Sequence, residues 1–134
     1  MIVVAAILAA LAALVHVYIF VLETLRWEAP ATRRVFGTTA ETAAITRSLA
    51  ANQGVYNLLL AIVTAVGVVL VLVADPTSGE RAAGDALLVA GLGSMTVAAA
   101  YLIATDRSKA RAATVQGIFP VLGLVALAIA TLAG

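Results

Sequence analysis

The sequence predicts an all-α membrane protein, a four-transmembrane-helix bundle with a longer cytoplasmic first loop. Three observations carry that prediction. The 134 residues are 63% hydrophobic and only 11% charged, with a mean hydropathy of +1.12, far more apolar than a soluble domain of this size sustains. The apolar residues gather in runs of about twenty or more, the length that crosses a hydrocarbon core of about 30 Å. The basic residues are confined to particular connections instead of being spread along the chain. Helices are required because every backbone N–H and C=O in lipid must be paired within its own segment, and the alternation of a membrane barrel is absent. The length leaves no room for a second domain, so residues 1–134 are expected to form one integral membrane domain.

The first span covers about residues 2–25. Its opening stretch, Met1 to Val15, has the apolarity of a signal-peptide core. It lacks a basic lead-in, however, and the apolar run continues through Ile19, Phe20, Val21 and Leu22, so a retained helix is expected. The second span covers about residues 49–74. Thr38 followed by Glu41 has capping-box spacing, which starts this helix near Thr39 and makes residues 39–48 a polar, amphipathic extension at headgroup level or in the cytosol. Asp75-Pro76 ends the helix, and Thr77 with Glu80 offers a cap for the third span, about residues 82–105. Asp106 to Arg111 is a short turn, and the fourth span occupies about residues 114–133, kinked at Pro120. Ala5, Ala9 and Ala13, Gly91 and Gly93, and Gly117 and Gly123 are small residues of the kind that let membrane helices approach closely.

Orientation follows from the cations. Arg26, Arg33, Arg34 and Arg47 follow the first span, and Arg107, Lys109 and Arg111 follow the third; only Arg81 lies between the second and third. Seven of the eight basic side chains therefore share one side, which the positive-inside rule assigns to the cytoplasm. A multi-pass protein of the inner (plasma) membrane is expected, with both termini outside and loops 26–48 and 106–113 cytoplasmic.

That orientation gives the polar residues of the spans a common depth. Glu23 lies within about a turn of the cytoplasmic face, and the second helix brings Asn52, Gln53, Tyr56 and Asn57 to the same level. The third helix adds Tyr101 and Thr105, and the fourth adds Gln116. His16 stands seven residues before Glu23, about 10 Å deeper on the same helical face, and Trp27 is expected one turn beyond Glu23 on that face. The outer half is almost entirely Ala, Val, Leu, Ile and Gly. A polar cleft open to the cytoplasm, lined by His16, Glu23, Trp27, Asn52, Gln53, Tyr56, Asn57 and Gln116, is the candidate ligand-binding site. Plainer roles exist for each residue. Glu23 would pair with Arg26 as a snorkelling charge; the carboxamides would serve as packing glue worth about 0.6 kcal/mol each; Trp27 would belong to an aromatic belt. A lone His without Cys gives no metal site, and nothing points to a cofactor or to nucleic acid as a partner.

His16-Val-Tyr-Ile, then Glu23, Trp27 and Phe36-Gly37, then Asn52-Gln53-Gly54-Val-Tyr56-Asn57 and finally Gln116 form a pattern that resembles the small bacterial integral membrane proteins grouped as domain of unknown function 1304. The resemblance covers nearly the whole chain, and the Asn-Gln-Gly-x-Tyr-Asn segment is its most specific part. It implies a four-helix membrane protein and supplies no activity. Three function classes stay open. The first is binding or transport of a small amphipathic or lipid-like ligand, with a homo-oligomer supplying a transport path at its interface. The second is a structural or accessory subunit of the bilayer. The third is an intramembrane acid–base enzyme acting on a lipid or isoprenoid, with Glu23 and His16 as the acid–base pair. Whether the chain is an enzyme is not decided by its residues.

Overall fold

In a computed structural model that describes residues 1–132, every regular element is helical. Helix α1 (Ile2–Phe20) runs into a π-helical turn (Val21–Leu25); α2 (Pro30–Phe36) is a short helix; α3 (Ala40–Val73) and α4 (Gly79–Thr105) are long; a 3₁₀ turn (Arg107–Lys109) leads into α5 (Ala110–Leu132). Four segments are long and apolar enough to cross a membrane: Ile2–Leu25, Ala40–Val73, Gly79–Thr105 and Arg107–Leu132. At 34 residues, α3 is about 50 Å long, so roughly 20 Å of it exceeds a hydrocarbon core. Most of the surplus, about 13 Å, is the polar stretch from Ala40 to Ser48, expected from the sequence as an extension of the helix. The predicted end of the fourth span at Ala133, and Gly134 after it, lie outside the described residues.

The caps differ by one residue from the sequence expectation. Thr39, not Thr38, caps α3: its hydroxyl accepts the Thr42 N–H at 3.1 Å. Ser78, not Thr77, caps α4, accepting the Arg81 N–H at 3.2 Å. Thr77 is committed elsewhere, donating its hydroxyl to Asp75 Oδ1 at 2.6 Å. The polar connection before α3 holds a helix where the sequence expectation is a loop. Pro30 starts α2 at a position where its missing N–H costs nothing. Gly37, at φ 65°, ends it in the left-handed region, and the Thr38 N–H reaches back to the Arg33 carbonyl at 3.0 Å. Helix α5 runs unbroken through Pro120, which is buried.

The chain divides into two compact units. The first comprises Met1–Val15 and the residues from Leu60 onward. Its core is Ala5, Ala6, Ala9 and Ala12 of α1, Val71 of α3, Leu88, Leu92 and Met95 of α4, and Ala126 and Leu127 of α5. Small residues set the spacing. An added Cβ on Gly84 would fall 2.8 Å from Leu70 Cβ, and one on Gly91 would collide with Thr64 Oγ1. Gly123 faces Leu92 in the same manner, whereas Gly93, expected to join this set, has nothing within 4 Å of where a Cβ would stand.

The second unit is His16–Leu59: the end of α1, the π turn, α2 and the first twenty residues of α3, 40–59. Its α3 face is a seam of Ala43, Thr46, Ala50, Gly54 and Asn57, spaced by three or four residues and buried or half-buried. The π turn approaches this seam most closely at Gly54, where a Cβ would collide with Thr24 Oγ1 and come within 3.1 Å of the Thr24 backbone nitrogen. The Thr24 hydroxyl, in turn, donates to the Ala51 carbonyl at 3.1 Å.

Candidate functional site

All but one of the residues expected to line the cytoplasmic cleft fall in the second unit. The centre of the group is a carboxylate held by a carboxamide: Asn57 Nδ2 donates to Glu23 Oε2 at 2.9 Å and also to the Gln53 carbonyl at 3.1 Å. The second bond is local to α3 and fixes the Asn57 side chain, so that its remaining N–H points at the carboxylate. Glu23 sits within the π turn. A π turn widens the helix by one residue, and such turns gather at functional sites. It also changes the register: from Val21 onward the chain between His16 and Glu23 is π-helical, so the angle between the two side chains is shifted from the one their α-helical spacing gives. His16 is buried, at 2% exposure.

Trp27 is not one turn beyond Glu23 on the same face. The helix ends at Leu25, and Arg26 leaves the helical region at φ −133°, ψ 21°, so Trp27 lies in the following turn. There its ring packs on Phe36, centroids 5.0 Å apart and tilted by 60°. Its indole N–H donates to Thr46 Oγ1 at 3.2 Å, and the Thr46 hydroxyl donates to the Thr42 carbonyl at 2.7 Å. An ion pair between Arg47 and Glu28, 3.5 Å and largely exposed, closes the same side. Arg26 forms no ion pair with Glu23 among the described residues.

The Asn-Gln-Gly-x-Tyr-Asn segment is divided by helical geometry. Gly54 and Asn57 lie on the inward seam of α3, whereas Asn52, Gln53 and Tyr56 are exposed. Tyr56 is 57% exposed, continuous along α3 with Leu49 and Leu59. Gln116 belongs to the first unit, half-buried on α5; Tyr101 and Thr105 of that unit are exposed on α4. Three residues that sequence reasoning does not single out support the site. Thr24 and Gly54 seat the π turn on α3, and Thr46 holds Trp27. Thr24 and Thr46 carry no sequence signal beyond their polarity. Gly54 is visible inside the motif but is explained only by the close approach. Among the described residues no group of three His, Cys, Asp or Glu side chains is placed to hold a metal ion.

Chemically, the arrangement offers one acceptor-rich group within an apolar helix end, one donor fixed on it, and three further hydrogen-bonding side chains exposed on the same stretch of α3. Comparison with curated proteins and with solved structures returns no match. One family profile, described as a protein of unknown function (DUF1304), matches residues 10–128, a span that includes every residue of the Glu23–Asn57 group. The chain therefore belongs to the DUF1304 family of proteins of unknown function.

Proposed function

We propose that this protein binds a small amphipathic molecule whose polar head is received at the level of Glu23 and Asn57, with Asn52, Gln53 and Tyr56 beside them. The observation that carries the proposal is the Asn57–Glu23 hydrogen bond of 2.9 Å within a π-helical turn. An ionisable side chain inside an apolar span is costly, and such a group usually marks a ligand or ion path. The carboxamides of Asn52 and Gln53 and the phenol of Tyr56, exposed on the same stretch of α3, both donate and accept, as an uncharged polar head requires. The cation distribution supports placing this level on the cytoplasmic side of the plasma membrane, with both termini outside. The chain contains no Cys, so a single cysteine introduced at Thr77 should be labelled by a membrane-impermeant maleimide from outside and one at Arg34 only from the cytoplasmic side; the reverse pattern, or labelling of both from one side, would overturn the orientation.

The test of binding is mass spectrometry of small molecules retained after mild extraction into nanodiscs, with Glu23→Gln beside the natural protein. A defined compound enriched on the natural protein and lost from a still-folded variant supports binding. The Glu23–Asn57 bond also ties the π turn to α3, which favours a second reading, a structural role in an accessory membrane subunit. In that case both samples carry only bulk lipid and the variant melts at a lower temperature.

A further inference from the structure

The first unit carries a different feature, separate from the Glu23 group. Helices α4 and α5 pack closely where Gly117 meets Ala99: a Cβ on Gly117 would lie 2.8 Å from Ala99 Cβ. Because both residues are small, the line where the helices touch lies at the bottom of a groove of about 350 Å³, walled by Ala100, Ile103, Val121 and Leu122. The walls are apolar and largely exposed. At Ile103 the groove adjoins a second hollow of about 500 Å³, lined by Ile103, Ala104, Arg107 and Ala110. The apolar groove thus leads to Arg107, at the junction of α4 and α5, where the membrane helices meet headgroup depth.

That junction is cationic. Arg107 and Lys109 of the 3₁₀ turn and Arg111 in the first turn of α5 stand against the single carboxylate of Asp106. Asp106 is already engaged, its Oδ1 accepting the Ser108 N–H at 2.9 Å and the Ser108 hydroxyl at 2.6 Å. Arg107 and Arg111 are exposed, and Arg111 stands three and seven residues before Thr114 and Ile118, which line the groove, on the same face of α5. We infer that the α4–α5 groove seats an anionic phospholipid of the surrounding bilayer, one acyl chain along Ala99, Gly117 and Val121 and its phosphate at Arg107 and Arg111. Charge complementarity selects this occupant. A groove that only packed against another apolar surface has no need of a cationic end, whereas a basic site at the end of membrane helices is the recognised chemistry of anionic headgroups.

The test titrates the full-length protein in detergent with dioleoylphosphatidylglycerol or dioleoylphosphatidylcholine and counts retained lipids by native mass spectrometry. The phosphatidylglycerol should be retained in preference, and Arg107→Gln and Arg111→Gln should each lower its retention about fivefold while leaving phosphatidylcholine unchanged. Ala100→Phe, which fills the groove from its exposed wall, should lower retention of both lipids. The arginine variants alter exposed side chains, so they keep the test decisive if Ala100→Phe fails to fold. Equal retention of the two lipids overturns the inference. So does displacement by millimolar inorganic phosphate, which would mean a headgroup site without the groove. A dimer that dissociates in Ala100→Phe overturns it as well, by assigning the groove to a second copy of the chain.

Discussion

Replacing Gly54 with alanine tests the close seat of the π turn on α3. In a helix interior this exchange normally stabilises by about 0.5–1 kcal/mol, because alanine has less backbone freedom to lose. Here the new Cβ would collide with Thr24 Oγ1 and press to 3.1 Å on both Thr24 N and Glu23 Cβ. Rotating the threonine relieves the first contact but breaks its 3.1 Å bond to the Ala51 carbonyl, a loss of about 0.5–1.5 kcal/mol. The backbone contact remains and has to be relieved by moving the turn, at about 1–3 kcal/mol for added volume at a packed site. The sum, about 1.5–4.5 kcal/mol less the propensity gain, predicts a net destabilisation of about 0.5–4 kcal/mol. Gly93→Ala is the internal control. No atom lies within 4 Å of its added methyl, so only the stabilising term of about 0.5–1 kcal/mol operates. Equilibrium unfolding in detergent compares the two, and hydrogen exchange should show the loss concentrated in residues 21–25 and 50–57. Thr24→Ala combined with Gly54→Ala should recover part of the loss, a coupling of about 1 kcal/mol for groups in contact. If Gly54→Ala proves as stable as Gly93→Ala, the turn does not depend on the missing side chain.

Two further outcomes follow from local hydrogen bonds. Trp27→Phe removes the N–H donated to Thr46 while keeping a ring against Phe36, and should cost about 0.5–1.5 kcal/mol in thermal or chemical unfolding; in a Thr46→Val background the same change should cost little, and an equal cost there would show that the indole acts by packing alone. Asp75, in the connection between α3 and α4, is held below the usual carboxylate range by the Thr77 hydroxyl and then by the Thr77 N–H, so the turn's support is present above the ordinary aspartate value and is lost as pH falls through the lowered one. Nuclear magnetic resonance titration should give Asp75 a depressed midpoint that rises in Thr77→Val, and a midpoint unmoved by that change would remove the hydroxyl as the cause.

Composition and the spacing of apolar runs are enough to locate the four long helices, because twenty apolar residues have no other stable backbone arrangement in lipid. The polar start of α3 is also visible, from threonines and an acidic residue placed to cap it. Exact caps are not: adjacent hydroxyl residues, Thr38 with Thr39 and Thr77 with Ser78, offer the same chemistry, and chain geometry chooses between them. Helix α2 has its own signals, namely Pro30 at its start, Arg33 and Arg34 in its last turn and Gly37 at its end, but seven residues without an apolar stripe are easily read as loop. The π turn leaves none, since no residue type demands it, and Trp27 is misplaced because the helix ends at Leu25, before it. Placing Glu23 and Asn57 at one depth does anticipate their contact. Treating Asn52, Gln53, Tyr56 and Asn57 as one lining does not anticipate that the first three are exposed while Asn57 turns inward. The 3.6-residue period assigns Gly54 and Asn57 to the seam that Ala43 and Ala50 begin.

The alanine and glycine seam of the first unit has a consequence in entropy. Ala5, Ala6, Ala9 and Ala12, with Gly84, Gly91 and Gly123, have no side-chain rotamers to lose when the helices come together. In lipid, where burying apolar surface gives helices little reason to associate, that absence of an ordering penalty lets weak dispersion contacts between close backbones suffice. Within it Gly84 has the least room to yield, because an added Cβ there would meet Leu70 Cβ and the Val71 backbone nitrogen. Enlargement at Gly84 must therefore be answered by moving a helix, which makes this part of the chain easy to assemble and hard to alter there.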